Sequence, residues 1–174
     1  MADEAGPAPA APNGAPSEDN LPQARILAQY VKDLSFENPN APAVFQQNDQ
    51  PAIDVKFDIG REQQADAFEV ILRIQVTAKR GEQVSFHCEL AYAGLFALKN
   101  IPDEQLQPFL LIDGPAMIFP FARRILADAI RDGGFPPLLL DPIDFGGLYM
   151  QQQAQMQQEG GDERVDIPPP QGDA

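Results

Sequence analysis

The chain holds one histidine, His87, and one cysteine, Cys88. Any nucleophilic triad, thiolate–imidazole pair or zinc site would have to use them. They stand side by side in Phe86-His87-Cys88-Glu89-Leu90, where apolar and polar residues alternate as they do along a strand. Neighbours on a strand point to opposite faces, so His87 and Cys88 cannot meet. Two such ligands also fall short of a tetrahedral zinc centre. No GxGxxG or GxxxxGK[ST] loop occurs in the sequence. Asp54, Lys56 and Asp58 alternate with apolar residues and read as an ordinary solvated strand face. Catalysis, a metal and a cofactor are all unexpected, and Cys88 reads as a small buried hydrophobe.

Surface charge is the remaining chemistry. Across Tyr30–Glu37, alternation puts Tyr30, Lys32, Leu34 and Phe36 on one face and Val31, Asp33, Ser35 and Glu37 on the other. His87 and Glu89 lie on the polar side of a later strand. If these strands share a sheet, Asp33, Glu37, His87 and Glu89 form a flat acidic patch. Phe86, Cys88 and Leu90 then face the opposite way, under any helical layer.

The elements that must position them can be read in chain order. Besides Tyr30–Glu37, period-two alternation marks Ile53–Ile59, Phe68–Thr77 (with Ile71 as the exception) and Gln83–Leu90. Lys79-Arg80-Gly81-Glu82 reads as a hairpin turn. Asn38-Pro39-Asn40-Ala41-Pro42 ends the first strand, and Ala43–Pro51 connects to the next. Beyond residue 100 the period becomes helical. Asp113-Gly114-Pro115 starts a helix carrying Ile118, Phe121, Ala122, Ile125, Leu126 and Ala129, with Pro120 in its first turn or at a kink. Gly133-Gly134 ends it. Asp144 caps a final helix through Gln158, with Phe145, Leu148 and Tyr149 on one side. Strands followed by helices predict an α+β fold, a four-stranded antiparallel sheet with helices on one face.

Composition narrows the partners. The formal net charge is −14, which opposes binding to nucleic acid. Residues 1–21 and 159–174 carry −4 each and no aromatic residue, leaving −6 on the middle. Such tails bury too little apolar surface to order themselves, so both are expected to be disordered, flanking one domain over 22–158. The N-terminus has acids where an export signal has bases, and no apolar run suits membrane insertion, so a cytoplasmic location is expected.

Several segments resemble the SecB family of protein-export chaperones. They are Tyr30-Val31-Lys32-Asp33-Leu34-Ser35-Phe36-Glu37-Asn38-Pro39-Asn40-Ala41-Pro42, Phe86-His87-Cys88-Glu89-Leu90 with Gly94-Leu95-Phe96, and Ile118-Phe119-Pro120-Phe121-Ala122-Arg123. Gly134-Phe135-Pro136-Pro137-Leu138-Leu139-Leu140-Asp141-Pro142-Ile143-Asp144-Phe145 completes the set, and the likeness runs over about residues 24–158 in family order. The resemblance implies a homotetramer built as a dimer of dimers. It also implies ATP-independent holding of unfolded precursor proteins and their delivery to the translocation ATPase SecA. Asp33, Glu37 and Glu89 match the family's SecA-contacting acids, and His87 replaces the apolar residue usual between them. Phe45, Phe57, Phe86, Cys88, Leu90 and Leu148 are candidates for the client groove or the packing beneath it. Asp49 stands where relatives can carry a groove tryptophan. The alternative is an acidic adaptor that binds one folded partner through its sheet face, without general affinity for unfolded chains.

Overall fold

The computed structural model describes residues 20–159. Most of both acidic tails lies outside the described residues. Strands β1 (Gln23–Glu37), β2 (Ala52–Gln64), β3 (Ala67–Arg80) and β4 (Gln83–Lys99) form one sheet in the order β1-β4-β3-β2. Every neighbouring pair is antiparallel. Gly81, at φ +59°, turns β3 into β4 where the sequence signalled a hairpin. The strands run longer than their alternation. β4 continues through Ala91-Tyr92-Ala93-Gly94-Leu95-Phe96, apolar on both faces, where a period of two carries no signal.

The helices come next in the chain as α1 (Asp103–Pro108), α2 (Gly114–Asp132) and α3 (Phe145–Glu159). α1 is only six residues long and holds a proline, which hides it from periodicity. One π-helical turn, Phe109–Asp113, joins it to α2, with the Gly114 N–H reaching back to the Phe109 carbonyl. Pro120 sits inside α2, beyond its first turn. The end of α2 is a Schellman closure: Gly134, at φ +90°, donates to the Arg131 carbonyl and Phe135 to that of Ile130. Asp144 caps α3 by accepting the Gly147 N–H at 2.9 Å.

The helices cover one face of the sheet. Val70, Leu72, Ile74 and Val76 of β3, with Phe86, Cys88, Leu90 and Phe96 of β4, meet Ile118, Ala122, Leu126 and Ile130 of α2 in one buried cluster. Gly94 allows the close approach, since a Cβ there would lie 2.8 Å from the Ile118 Cγ2. The other sheet face carries no helix among the described residues.

β1 departs from its simple alternation. Val31 pairs with Tyr92 and Asp33 with Ala91, so Lys32 is an extra residue in the ladder, a β-bulge. The bulge reverses the facing of the residues beyond it. Tyr30 and Lys32 therefore share the open face with Asp33, Ser35 and Glu37, whereas Leu34 and Phe36 turn towards the helices. The expected grouping of Tyr30 and Lys32 with Leu34 and Phe36 is thus corrected. Phe36 packs 5.7 Å, centroid to centroid, from Phe86.

Candidate docking face and groove

The open face has two unlike ends. At one end, β1 and β4 bring the four expected residues together, with Glu37 opposite His87, Ser35 opposite Glu89 and Asp33 opposite Ala91. Asp33 and Glu37 are exposed, and neither side chain makes an ion pair or hydrogen bond among the described residues. His87 and Glu89 are half-buried and built into a chain of polar contacts. His87 Nε2 lies 2.9 Å from Glu89 Oε1, and His87 Nδ1 lies 2.9 Å from Thr77 Oγ1. A carboxylate only accepts, so neutral His87 carries its proton on Nε2 and takes the Thr77 hydroxyl proton at Nδ1 as a hydrogen-bond acceptor. Gln75 Nε2 donates to the same Glu89 oxygen at 3.1 Å. His87 therefore orients Glu89 and occupies the space between the acids. Alternation locates these four residues on the open face, while Thr77 and Gln75, their supports on β3, look like ordinary polar strand residues.

At the other end, Glu69 of β3 is only 3% exposed. Lys32 Nζ donates to both its carboxylate oxygens, at 2.8 and 3.0 Å, and Tyr30 Oη donates at 2.6 Å. Since β4 separates β1 from β3, both side chains must cross it. They do so where β4 presents Ala91 and Ala93, small residues that leave room. Ala93 and Ile71 are fully buried there, although they belong to the open face. Burial pushes the Glu69 carboxyl up, but the Lys32 and Tyr30 hydrogen bonds and the positive charge of Lys32 outweigh it. The group ends below its ordinary value of 4.5. Tyr30 is pushed up to about 12, first by its bond to Glu69 and then by burial and nearby negative charge. The apolar Ile71 inside an alternating strand is the one sequence signal for this covered patch.

The groove candidates separate by depth. Phe86, Cys88 and Leu90 are at most 2% exposed and form the packing layer. Burial, and then the Glu89 charge, push the Cys88 thiol up to about 11. Phe57 is half-buried, and Phe45 and Leu148 are exposed. A depression of about 380 Å³ lies among Asp49, Ile53, Phe86, Phe135, Pro137 and Leu138. Asp49 thus lines the place where the resemblance put a groove aromatic. Phe45 flanks it through Phe135, 5.4 Å away. A second depression, of about 290 Å³, sets Phe57, Ile59 and Leu148 beside the polar Asp58, Gln151, Gln152 and Gln155. Arg80 fastens the connector beside the first one. It donates to the carbonyls of Asp49 and Val44 and to the Ser85 hydroxyl, roles that its place next to a turn does not suggest.

Residues 17–156 match the family model for SecB, the preprotein translocase subunit. The chain belongs to the SecB family. A protein-export protein SecB of Zymomonas mobilis is 62% identical over 138 residues, covering 79% of this chain and 84% of the relative. One from Rhizorhabdus wittichii is 55% identical over 156 residues, covering 89% and 92%. Export chaperoning is the function that goes with this SecB membership. Among solved structures, a SecB-like chaperone of Mycobacterium tuberculosis, bound to a ChAD peptide from an antitoxin, aligns with a TM-score of 0.57 at 19% identity. It covers 69% of this chain and 90% of its own, a likeness of fold. Among the described residues no helix is long and apolar enough to cross a membrane.

Proposed function

We propose that this chain holds precursor proteins unfolded for export without ATP, and passes them to SecA through the open sheet face. The observation that carries the reading is the division of labour between surfaces. Depressions with partly apolar linings beside Phe45, Phe57 and Leu148 sit near the sheet–helix seam, and exposed acids sit on the helix-free face. A holdase needs apolar area without a shape-specific pocket, so that many sequences can bind. Burial supplies roughly 25 cal/mol per Å² of apolar surface. Extended clients add backbone pairing along a groove. The acids then serve a basic surface on SecA, where complementary charge speeds encounter and rejects wrong partners.

The same reading takes the chain as a cytoplasmic homotetramer, a dimer of dimers. The edge strand β1 exposes Ile26, Leu27, Val31 and Leu34, and α2 exposes Met117 and Phe121, apolar surface of the kind subunit contacts cover. Residues 22–158 form the chaperone domain, and the acidic tails oppose self-association of its apolar grooves.

Light scattering during dilution of an unfolded precursor tests this function. One tetramer per precursor should suppress aggregation with no nucleotide present, and several unrelated precursors should compete for it. Failure to delay aggregation contradicts the holdase reading. Binding to a single folded protein, without competition among unfolded chains, would support the adaptor instead.

A further inference from the structure

The extra residue in β1 and the ion pair across β4 lie at the same place. Regular alternation from Tyr30 onward would turn Asp33, Ser35 and Glu37 towards the helices and leave Phe36 on the open face. The observed strand does the opposite, because Lys32 occupies an extra position between the pairs Val31–Tyr92 and Asp33–Ala91. Two anchors hold the two halves of β1 out of phase. On the N-terminal side, Tyr30 and Lys32 are both tied to the buried carboxylate of Glu69. On the C-terminal side, Phe36 is stacked on Phe86 at 5.7 Å and packs against Phe135 at 6.3 Å. Asp33 is the first residue past the bulge, between the anchors.

We infer that the Tyr30–Lys32–Glu69 clamp is a positioning device for docking. It pins the bulge and so turns Asp33 outward, which makes Glu69 and Lys32 positioning residues for the partner contact rather than contacts themselves. The burial of Glu69 fits this role, since a carboxylate 3% exposed cannot meet a partner's basic side chain. The geometry of Lys32 fits too. It spends its ammonium on both oxygens of one internal acid, so the neighbouring Asp33 keeps its charge unpaired on the surface. Fixing register, more than stability, is a recognised use of an ion pair with a buried member. The inference rests on the SecA-docking reading of the acidic face.

Its test uses the full chain and purified SecA. Affinity is measured for the wild type, Asp33→Asn, Glu69→Gln and the Asp33→Asn/Glu69→Gln pair, with amide exchange read at Asp33. Glu69→Gln should weaken SecA binding about fivefold and speed exchange at Asp33, leaving precursor holding unchanged. In the Asp33→Asn background it should add less than about twofold, because two residues acting through one group are not additive. Lys32→Arg, which can still grip both oxygens, should keep wild-type affinity. Lys32→Met with Glu69→Met removes both charges without stranding either, and should reproduce the Glu69→Gln loss in a chain that folds. Unchanged affinity and exchange in Glu69→Gln, beside a weakened Asp33→Asn, would overturn the inference alone. Equal and additive losses would do the same, as they mark a general effect on the fold. An Asp33→Asn chain that binds SecA like the wild type removes the docking reading and this inference with it.

Discussion

Glu69 and Asp33 are acids on the same sheet face, on the two strands that flank β4 and four residues apart in its register, and they have opposite fates. Glu69 is roofed over, saturated by Lys32 and Tyr30, and held ionised against the penalty of burial. Asp33 is exposed and makes no ion pair or hydrogen bond through its side chain among the described residues. Net charge therefore says little about what an acid does. One carboxylate is spent on an internal clamp, and Asp33 and Glu37 stay exposed and unpaired among the described residues. A second contrast lies between this polar face and the helix-covered face, where apolar packing supplies the stability.

The largest break should come on the covered face. Leu126 is fully buried against the sheet, so Leu126→Ala should cost ~2–5 kcal/mol in urea unfolding, from lost transfer energy and the cavity left behind. A loss under about 1 kcal/mol would mean the layers do not pack as described.

Next comes Lys32→Ala, which strands Glu69 as a buried charge. The expected cost is about 1–3 kcal/mol, limited because half-exposed Lys32 admits water once removed. The clamp also has a pH signature. The Glu69 carboxyl is lowered in the folded chain relative to 4.5. Its contribution is therefore complete above that pH and is lost as pH falls through the lower folded value. The stability gap between wild type and Glu69→Gln should be widest near neutral pH and close in acid. A gap that is constant or widens in acid would reverse the assignment.

Smaller still, Asp33→Lys should change folding stability by no more than about 0.5 kcal/mol, as surface substitutions usually do. A larger loss would mean Asp33 has an internal role like that of Glu69. The slightest effect belongs to Cys88. With its thiol raised to about 11 and fully buried, it should alkylate at pH 8 far more slowly in the folded chain than in urea.

Many of these features are legible from residue types. Gly133-Gly134 ends α2 and Asp144 opens α3 because both are local signals, read from backbone needs alone. Phe86, Cys88 and Leu90 point inward because β4 alternates there without interruption. β1 is harder. Tyr30, Leu34 and Phe36 look like one apolar stripe, and only the pairing with β4 shows an extra residue between Tyr30 and Leu34. A bulge is a property of two strands, so one strand's pattern cannot display it. Glu69 looks solvated for the same reason, since its cover comes from a strand more than thirty residues away in the chain. Asp33, Glu37, His87 and Glu89 can be found because the bulge happens to preserve their mutual alternation. The clamp that turns Asp33 outward cannot.

On the proposed function, client holding and partner docking use different surfaces of one small domain. That separation is tested most directly by measuring both activities in one variant. Asp33→Lys/Glu89→Lys reverses the docking charge without touching the depressions beside Phe45, Phe57 and Leu148. SecA affinity should fall at least about tenfold, and the wild-type contact should itself weaken with salt, because exposed charges are screened within about 8 Å at physiological ionic strength. Suppression of precursor aggregation should be unchanged. Undiminished SecA binding, or a parallel loss of both activities, would contradict the separation.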